Sequence, residues 1–174
     1  MLLNVQELAA RKVPVRLSES FDAAKTVENL RDVKPLSPVS AELTAEYANG
    51  MIEVSGHLDC RLQLACSRCL DPIEYDCRVS FRESFKIVSK EMAERGEQDD
   101  EDFVPIYGDS LELRPYVEEE LLLHLPYAPL CREDCKGLCS ECGHNLNHGT
   151  CGCNREKIDP RLAALKDWYD TRPN

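Results

Sequence analysis

The sequence predicts an α+β fold: an antiparallel β-meander packed with a helix, then a cysteine-rich, zinc-binding tail and a short C-terminal helix. Three observations carry that expectation. Apolar residues fall on alternate positions through most of residues 39–87, a proline-led helical pattern begins near residue 115, and ten cysteines occur, six of them between positions 131 and 153. At 174 residues the chain is long enough for one domain with a core plus an appendage, and short for two. The expected division is a core over residues 1–127, carrying an acidic loop at 90–102, and a tail over 128–174.

Taken in order, "LLNV" and "VPVRL" each read as a short strand added to the sheet. Val39, Ala41, Leu43, Ala45 and Tyr47 then alternate as one face of a strand. Asn49-Gly50 supplies turn residues that tolerate positive φ. A second strand carries Ile52, Val54, Leu58, Cys60, Leu62, Leu64 and Cys66, and a third carries Ile73, Tyr75, Cys77, Val79, Phe81, Phe85 and Ile87. Leu111 to Leu113 reads as a further short strand. Pro115, at a first helical position, opens a helix with Val117, Leu121 and Leu125 on one face, ended by Pro126. Asp159-Pro160 resembles a helix start, after which Leu162, Leu165 and Tyr169 line one face with Trp168 beside them. There is no internal repeat, heptad run or Gly-rich phosphate loop.

Charge and compartment narrow the chemistry. The formal charge is −11, from 32 acids and 21 Lys or Arg, which argues against a large electrostatic footprint on nucleic acid. Residues 90–102, "KEMAERGEQDDED", hold seven acids against two bases. Such a chain suits a basic protein partner better than bare RNA. The N-terminus lacks the apolar run of a secretory signal and no transmembrane run is present, so the chain reads as cytoplasmic, without a membrane partner. In a reducing cytosol clustered cysteines bind metal more readily than they form disulfides.

The ten cysteines sort by position. Cys60 and Cys77 sit in the apolar registers of facing strands, where a small hydrophobe belongs. Six residues of strand, about 20 Å at ~3.3 Å each, separate Cys60 from Cys66 and from any single-ion site built there. Cys66-Ser-Arg-Cys69 occupies a hairpin tip and makes a half-site for tetrahedral zinc; unliganded thiols and a redox pair are the competing readings. The tail holds Cys131-x3-Cys135, Cys139-x2-Cys142-Gly and Cys151-x-Cys153. Cys139-Ser-Glu-Cys142-Gly143 has the form of a zinc knuckle, in which the glycine relieves crowding as backbone amides turn toward the sulfurs. Six thiols are too many for one closed site and too few for two; Cys66 and Cys69 bring the number to eight. The expectation is two structural Zn2+ sites, Cys66, Cys69, Cys131 and Cys135 in one and Cys139, Cys142, Cys151 and Cys153 in the other. His144 and His148 are alternative ligands, His124 a helix-terminus histidine, and His57 lies on a polar strand face. Closed sites of this kind are structural, and no general base stands at a convincing spacing, so no catalytic residue and no organic cofactor is expected.

The stretches "CSRCLDPIEYDCRVSFRESF", "LELRPYVEEELLLHLPYAPLCREDCKGLCSECGHNLNHGTCGC" and "IDPRLAALKDW", with an acidic loop between the first two, resemble the YceD-like family, also called large ribosomal RNA subunit accumulation proteins. The resemblance spans roughly Val39 to Trp168. It implies a role in accumulation of large-subunit ribosomal RNA, and so in ribosome biogenesis, rather than an enzymatic reaction. Two readings compete within that frame. Direct RNA binding by the tail is disfavoured, because residues 128–156 carry Arg132, Lys136 and Arg155 against four acids and no aromatic side chain for stacking. An acidic adaptor for a basic ribosomal protein or assembly factor fits better, with Glu118, Glu119, Glu120 and the 91–102 acids available to steer it. An RNA-processing enzyme is a third class, and it requires carboxylates that converge with a metal in a cleft.

Overall fold

The computed structural model describes residues 1–88 and 103–153. The expected acidic loop at 90–102 and the helical pattern at 159–169 lie outside the described residues. Alternation over long runs gives long strands: β4 (Val39–Ala48), β5 (Met51–Ala65) and β6 (Pro72–Ile87) form the expected antiparallel meander. A two-residue turn joins β4 to β5, with Asn49 at φ 53° and Gly50 at φ 83°. Two successive positive φ values match the right-handed twist of the flanking strands. Nearly all the predicted inward residues of the meander are buried, from Val39 to Phe85, whereas Ile87, at the end of β6, is exposed.

β2 (Val15–Phe21) pairs antiparallel with β4, as an added strand should. "LLNV" behaves differently. Its strand, β1 (Leu2–Asn4), pairs with β8 (Ser110–Glu112) in a separate two-stranded sheet. The chain then turns directly into a helix, α1 (Val5–Arg11), which the sequence reading missed. Two further short strands complete the main sheet. β3 (Val33–Pro35) runs beside the far end of β5, and β7 (Val104–Ile106) lies parallel to the end of β6.

The helix announced by Pro115 is α2 (Arg114–Leu123). It stops at Leu123, with His124 as C-cap, two residues before the expected end; Leu125 follows outside the helix yet still packs against the core. Val117 and Leu121 are fully buried, and Tyr116 meets Phe85 of β6 edge to face with ring centroids 5.0 Å apart. The helix therefore covers the inner face of the sheet, leaving the β5–β6 hairpin tip projecting toward the tail. Among the described residues the architecture is α+β, mostly sheet with two helices.

Candidate metal centre

The hairpin tip is a tight turn over Cys66–Asp71. The Leu70 amide donates to the Cys66 carbonyl at 2.9 Å and the Cys66 amide to the Asp71 carbonyl at 2.9 Å. This folding turns amides toward sulfur and presents Cys66 and Cys69 together. The tail repeats the device: the Gly143 amide donates to the Cys139 carbonyl, also at 2.9 Å, and Gly143 has φ 72°. In the hairpin the equivalent left-handed position is filled by Leu70, at φ 63°.

The eight predicted sulfurs fall into two groups of four, Cys66, Cys69, Cys131 and Cys135 in one and Cys139, Cys142, Cys151 and Cys153 in the other; within each, all ligand atoms lie within 4.8 Å of one another. In the first group Cys66 Sγ is 3.8 Å from Cys135 Sγ, and Cys69 Sγ is 3.6 Å from Cys131 Sγ. A tetrahedron with metal–sulfur bonds of about 2.3 Å has sulfur–sulfur edges of about 3.8 Å, so the spacing fits a thiophilic ion of zinc's size. Cys60 and Cys77 stand apart, directly opposite each other in the β5–β6 register and buried in the main core. His144 and His148 are exposed and belong to neither group. His124 contacts Glu120 at the end of α2, and His57 lies on the exposed sheet face between Glu42 and Asp59.

Electrostatics prepare two thiols in the first group, Cys66 and Cys135, the latter lowered chiefly by the hydrogen bond from Asn147, and Cys139 in the second. Burial pushes the Cys66 thiol up, but amides of Cys131, Arg68 and Cys69 donating to its sulfur more than offset this, and its pKa falls to about 6. The amides of Cys142 and Glu141 do the same for Cys139, which also falls to about 6.

Residues that the sequence reading did not single out hold the two groups together. Asn147 Nδ2 donates to Cys135 Sγ at 3.3 Å, while its Oδ1 accepts from the Lys136 amide at 2.8 Å. Asn145 Nδ2 donates to both carboxylate oxygens of Asp71, at 3.2 and 3.0 Å, and Asp71 Oδ2 in turn accepts from Cys69 Sγ at 3.3 Å. Arg68 spans the same junction. Its Nη1 donates to the Cys135 carbonyl at 2.9 Å and its own carbonyl accepts from the Leu138 amide at 3.1 Å. The available signal was the pair of asparagines in Cys142-Gly-His-Asn-Leu-Asn, which place two amide side chains between the cysteine pairs.

Fold and site together define a small α+β protein whose tail is gathered onto a sheet hairpin at one of two four-cysteine clusters. The chain belongs to the family described as the large ribosomal RNA subunit accumulation protein YceD, whose pattern matches residues 54–168. An uncharacterized protein of Mycobacterium tuberculosis is 32% identical across 71% of this chain and 58% of its own length, so the chain spans little more than half of that relative. The uncharacterized protein YlbN of Bacillus subtilis is 27% identical across 85% of this chain and 87% of its own. A chloroplastic maize protein named as a YCED homolog of the same description is 23% identical across 94% of this chain and 64% of its own. No solved structure matches the chain. No helix among the described residues is long and apolar enough to cross a membrane.

Proposed function

We propose that the chain is a non-enzymatic, cytoplasmic ribosome-biogenesis factor that promotes accumulation of large-subunit ribosomal RNA as an acidic adaptor for a basic ribosomal protein or assembly factor. The family match over residues 54–168 carries the role. The charge of −11 supports the adaptor form of it, since a protein so acidic recruits cations rather than phosphate.

In the same reading each cysteine group holds one structural Zn2+, through Cys66, Cys69, Cys131 and Cys135 and through Cys139, Cys142, Cys151 and Cys153. Four thiolates close the coordination sphere, so the metal supplies a cross-link rather than an open position for chemistry. Each such site keeps about two net negative charges, which also discourages direct contact with RNA.

Affinity capture from cells, with and without RNase, tests the adaptor. A basic protein retained after RNase treatment is expected; large-subunit RNA that stays bound once basic proteins are stripped away replaces the adaptor with direct RNA binding. Elemental analysis of reduced, metal-replete protein should find two zinc ions per chain, and fewer than one would end the two-site reading.

A further inference from the structure

Cys60 and Cys77 take no part in either cluster, and the fold sets them face to face. They stand directly opposite each other in the β5–β6 register, point into the core and are free thiols, 7% and 3% exposed. The inward pairs on either side, Leu58 with Val79 and Leu62 with Tyr75, bring bulky side chains together. Among the paired residues of this hairpin, two sulfurs meet at this one level.

Register alone satisfies the geometry of a disulfide. Directly opposite residues of antiparallel strands have Cα atoms about 4.5 or 5.5 Å apart, according to the hydrogen bonding of the pair, and a disulfide spans about 4.4–6.8 Å. Joining the two sulfurs therefore needs no movement of the strands. The clusters are out of reach by comparison. Cys66 lies six residues beyond Cys60, about 20 Å of strand at ~3.3 Å per residue.

We propose that Cys60 and Cys77 are a peroxide-reactive pair that closes reversibly to a cross-strand disulfide. Cys77 is the attacking sulfur. Hydrogen bonding from Cys60 holds its thiol below the ordinary range, aided by a protonated His124 at the end of α2 and opposed by burial and Asp59, whereas the same contact and burial push the Cys60 thiol up. The Cys77 thiolate attacks one peroxide oxygen, the O–O bond breaks, and the departing hydroxide takes up the thiol proton as water, leaving a sulfenic acid. Cys60 then attacks Cys77 Sγ. An S–S bond forms, the S–O bond breaks, and the oxygen leaves with the Cys60 proton as a second water. Two thiols lose two electrons and two protons, and one peroxide becomes two waters. The bridge closes residues 60–77, the loop that presents Cys66 and Cys69, and so holds the hairpin beneath the first cluster against opening. It depends neither on a bound metal nor on the adaptor reading.

Peptide mapping of the whole reduced protein after hydrogen peroxide, with remaining thiols alkylated before digestion, tests the pair. A linked Cys60–Cys77 peptide is expected, lighter than its two parts by two hydrogens and separated by dithiothreitol. The link identifies itself whatever the clusters hold. Cys60→Ala should leave Cys77 as a sulfenic acid that dimedone traps, and Cys77→Ala should leave Cys60 unlabelled. The urea midpoint of the treated parent should exceed that of Cys60→Ala treated alike by more than the two differ when reduced. Recovery of both residues as free thiols, at a peroxide dose that converts methionine to sulfoxide, overturns the proposal. So does a bridge from either residue to a clustered cysteine, or dimedone labelling of Cys60 in place of Cys77.

Discussion

Gly56 shows how much one residue decides. It faces Leu43 across β4 and β5, and a Cβ at this position would lie 2.0 Å from the Glu42 carbonyl oxygen. That oxygen belongs to backbone, so relief requires the strands to separate. Gly56→Ala should therefore lower stability by about 1–3 kcal/mol or more, read as a reduced urea midpoint by circular dichroism; an unchanged midpoint would contradict the close approach. In the sequence Gly56 is visible only as the gap between Val54 and Leu58 in an otherwise alternating run. Alternation tells which face a position occupies, and says nothing of how near the neighbouring backbone comes. Leu70 was hidden for a related reason, since leucine carries no signal of a left-handed turn, whereas Gly143 announced its own. The eight clustered cysteines were legible because closely spaced sulfur pairs, two of them C-x2-C, are rare and chemically specific; Asn145, Asn147 and Asp71 were not, being ordinary loop residues until the fold brings them to sulfur.

At the scale of elements, length separated what could be read from what could not. β4, β5 and β6 run for 10, 15 and 16 residues, several periods of alternation each; of the three-residue strands, β1 and β8 match the short strands expected at "LLNV" and Leu111–Leu113, though not the sheet they form together, while β3 and β7 offer no period to recognise. α1 has seven residues and is defined chiefly by its cap, the Asn4 side chain accepting from the Glu7 amide at 2.9 Å. For α2 the apolar spacing sufficed. Leu121 is fully buried against the sheet, and Leu121→Ala should cost about 2–5 kcal/mol in urea unfolding; a loss well under 1 kcal/mol would mean that α2 does not roof the core. The short elements are tied by charge instead. The Met1 amino group lies 2.8 Å from Glu112 and 2.7 Å from Glu19, and Arg114 at the start of α2 also reaches Glu19, at 3.1 Å, and Glu118, at 3.0 Å. Hydrogen bonds to Glu112 and Glu19 raise the amino pKa above its ordinary 8.0. A raised value means that this stabilisation is complete below about pH 8 and is lost as pH climbs through the folded-state value. Thermal midpoints should fall on the alkaline side of pH 8, and fall less in a Glu19→Gln, Glu112→Gln double variant. Parallel pH profiles for the two proteins would remove the amino group from the account.

Over the whole molecule, the clusters differ in what they join. The first unites hairpin and tail, residues more than sixty apart in sequence, while the second closes the tail upon itself. They are also linked to each other, because the loop closed by the second reaches the first: Asn147 donates to the Cys135 sulfur, and Asn145 holds Asp71 at the hairpin tip. Leu138 and Asn145 form a β-bridge, and the Leu146 amide donates to the Gly137 carbonyl at 2.9 Å, so the loop is held between the clusters by its backbone as well. If each cluster holds zinc, disabling the second should weaken the first without touching any of its ligands. Partners of metal-bound groups typically account for about 10–100-fold in affinity. A Cys151→Ser, Cys153→Ser variant should accordingly lose one zinc outright and yield the remaining ion to a competing chelator at a concentration about tenfold lower than the unmodified protein requires. Asn147→Ala should move the first site in the same direction while leaving two ions bound. Serine at both positions with no change in the chelator curve of the surviving site would show that the clusters act independently, and that the asparagine contacts follow from the fold without steadying the metal. Such coupling is reciprocal in binding free energy, so a Cys66→Ser, Cys69→Ser variant should release the ion held by Cys139, Cys142, Cys151 and Cys153 at a chelator concentration lowered by a similar factor, and a shift in one variant without the other would break the linkage.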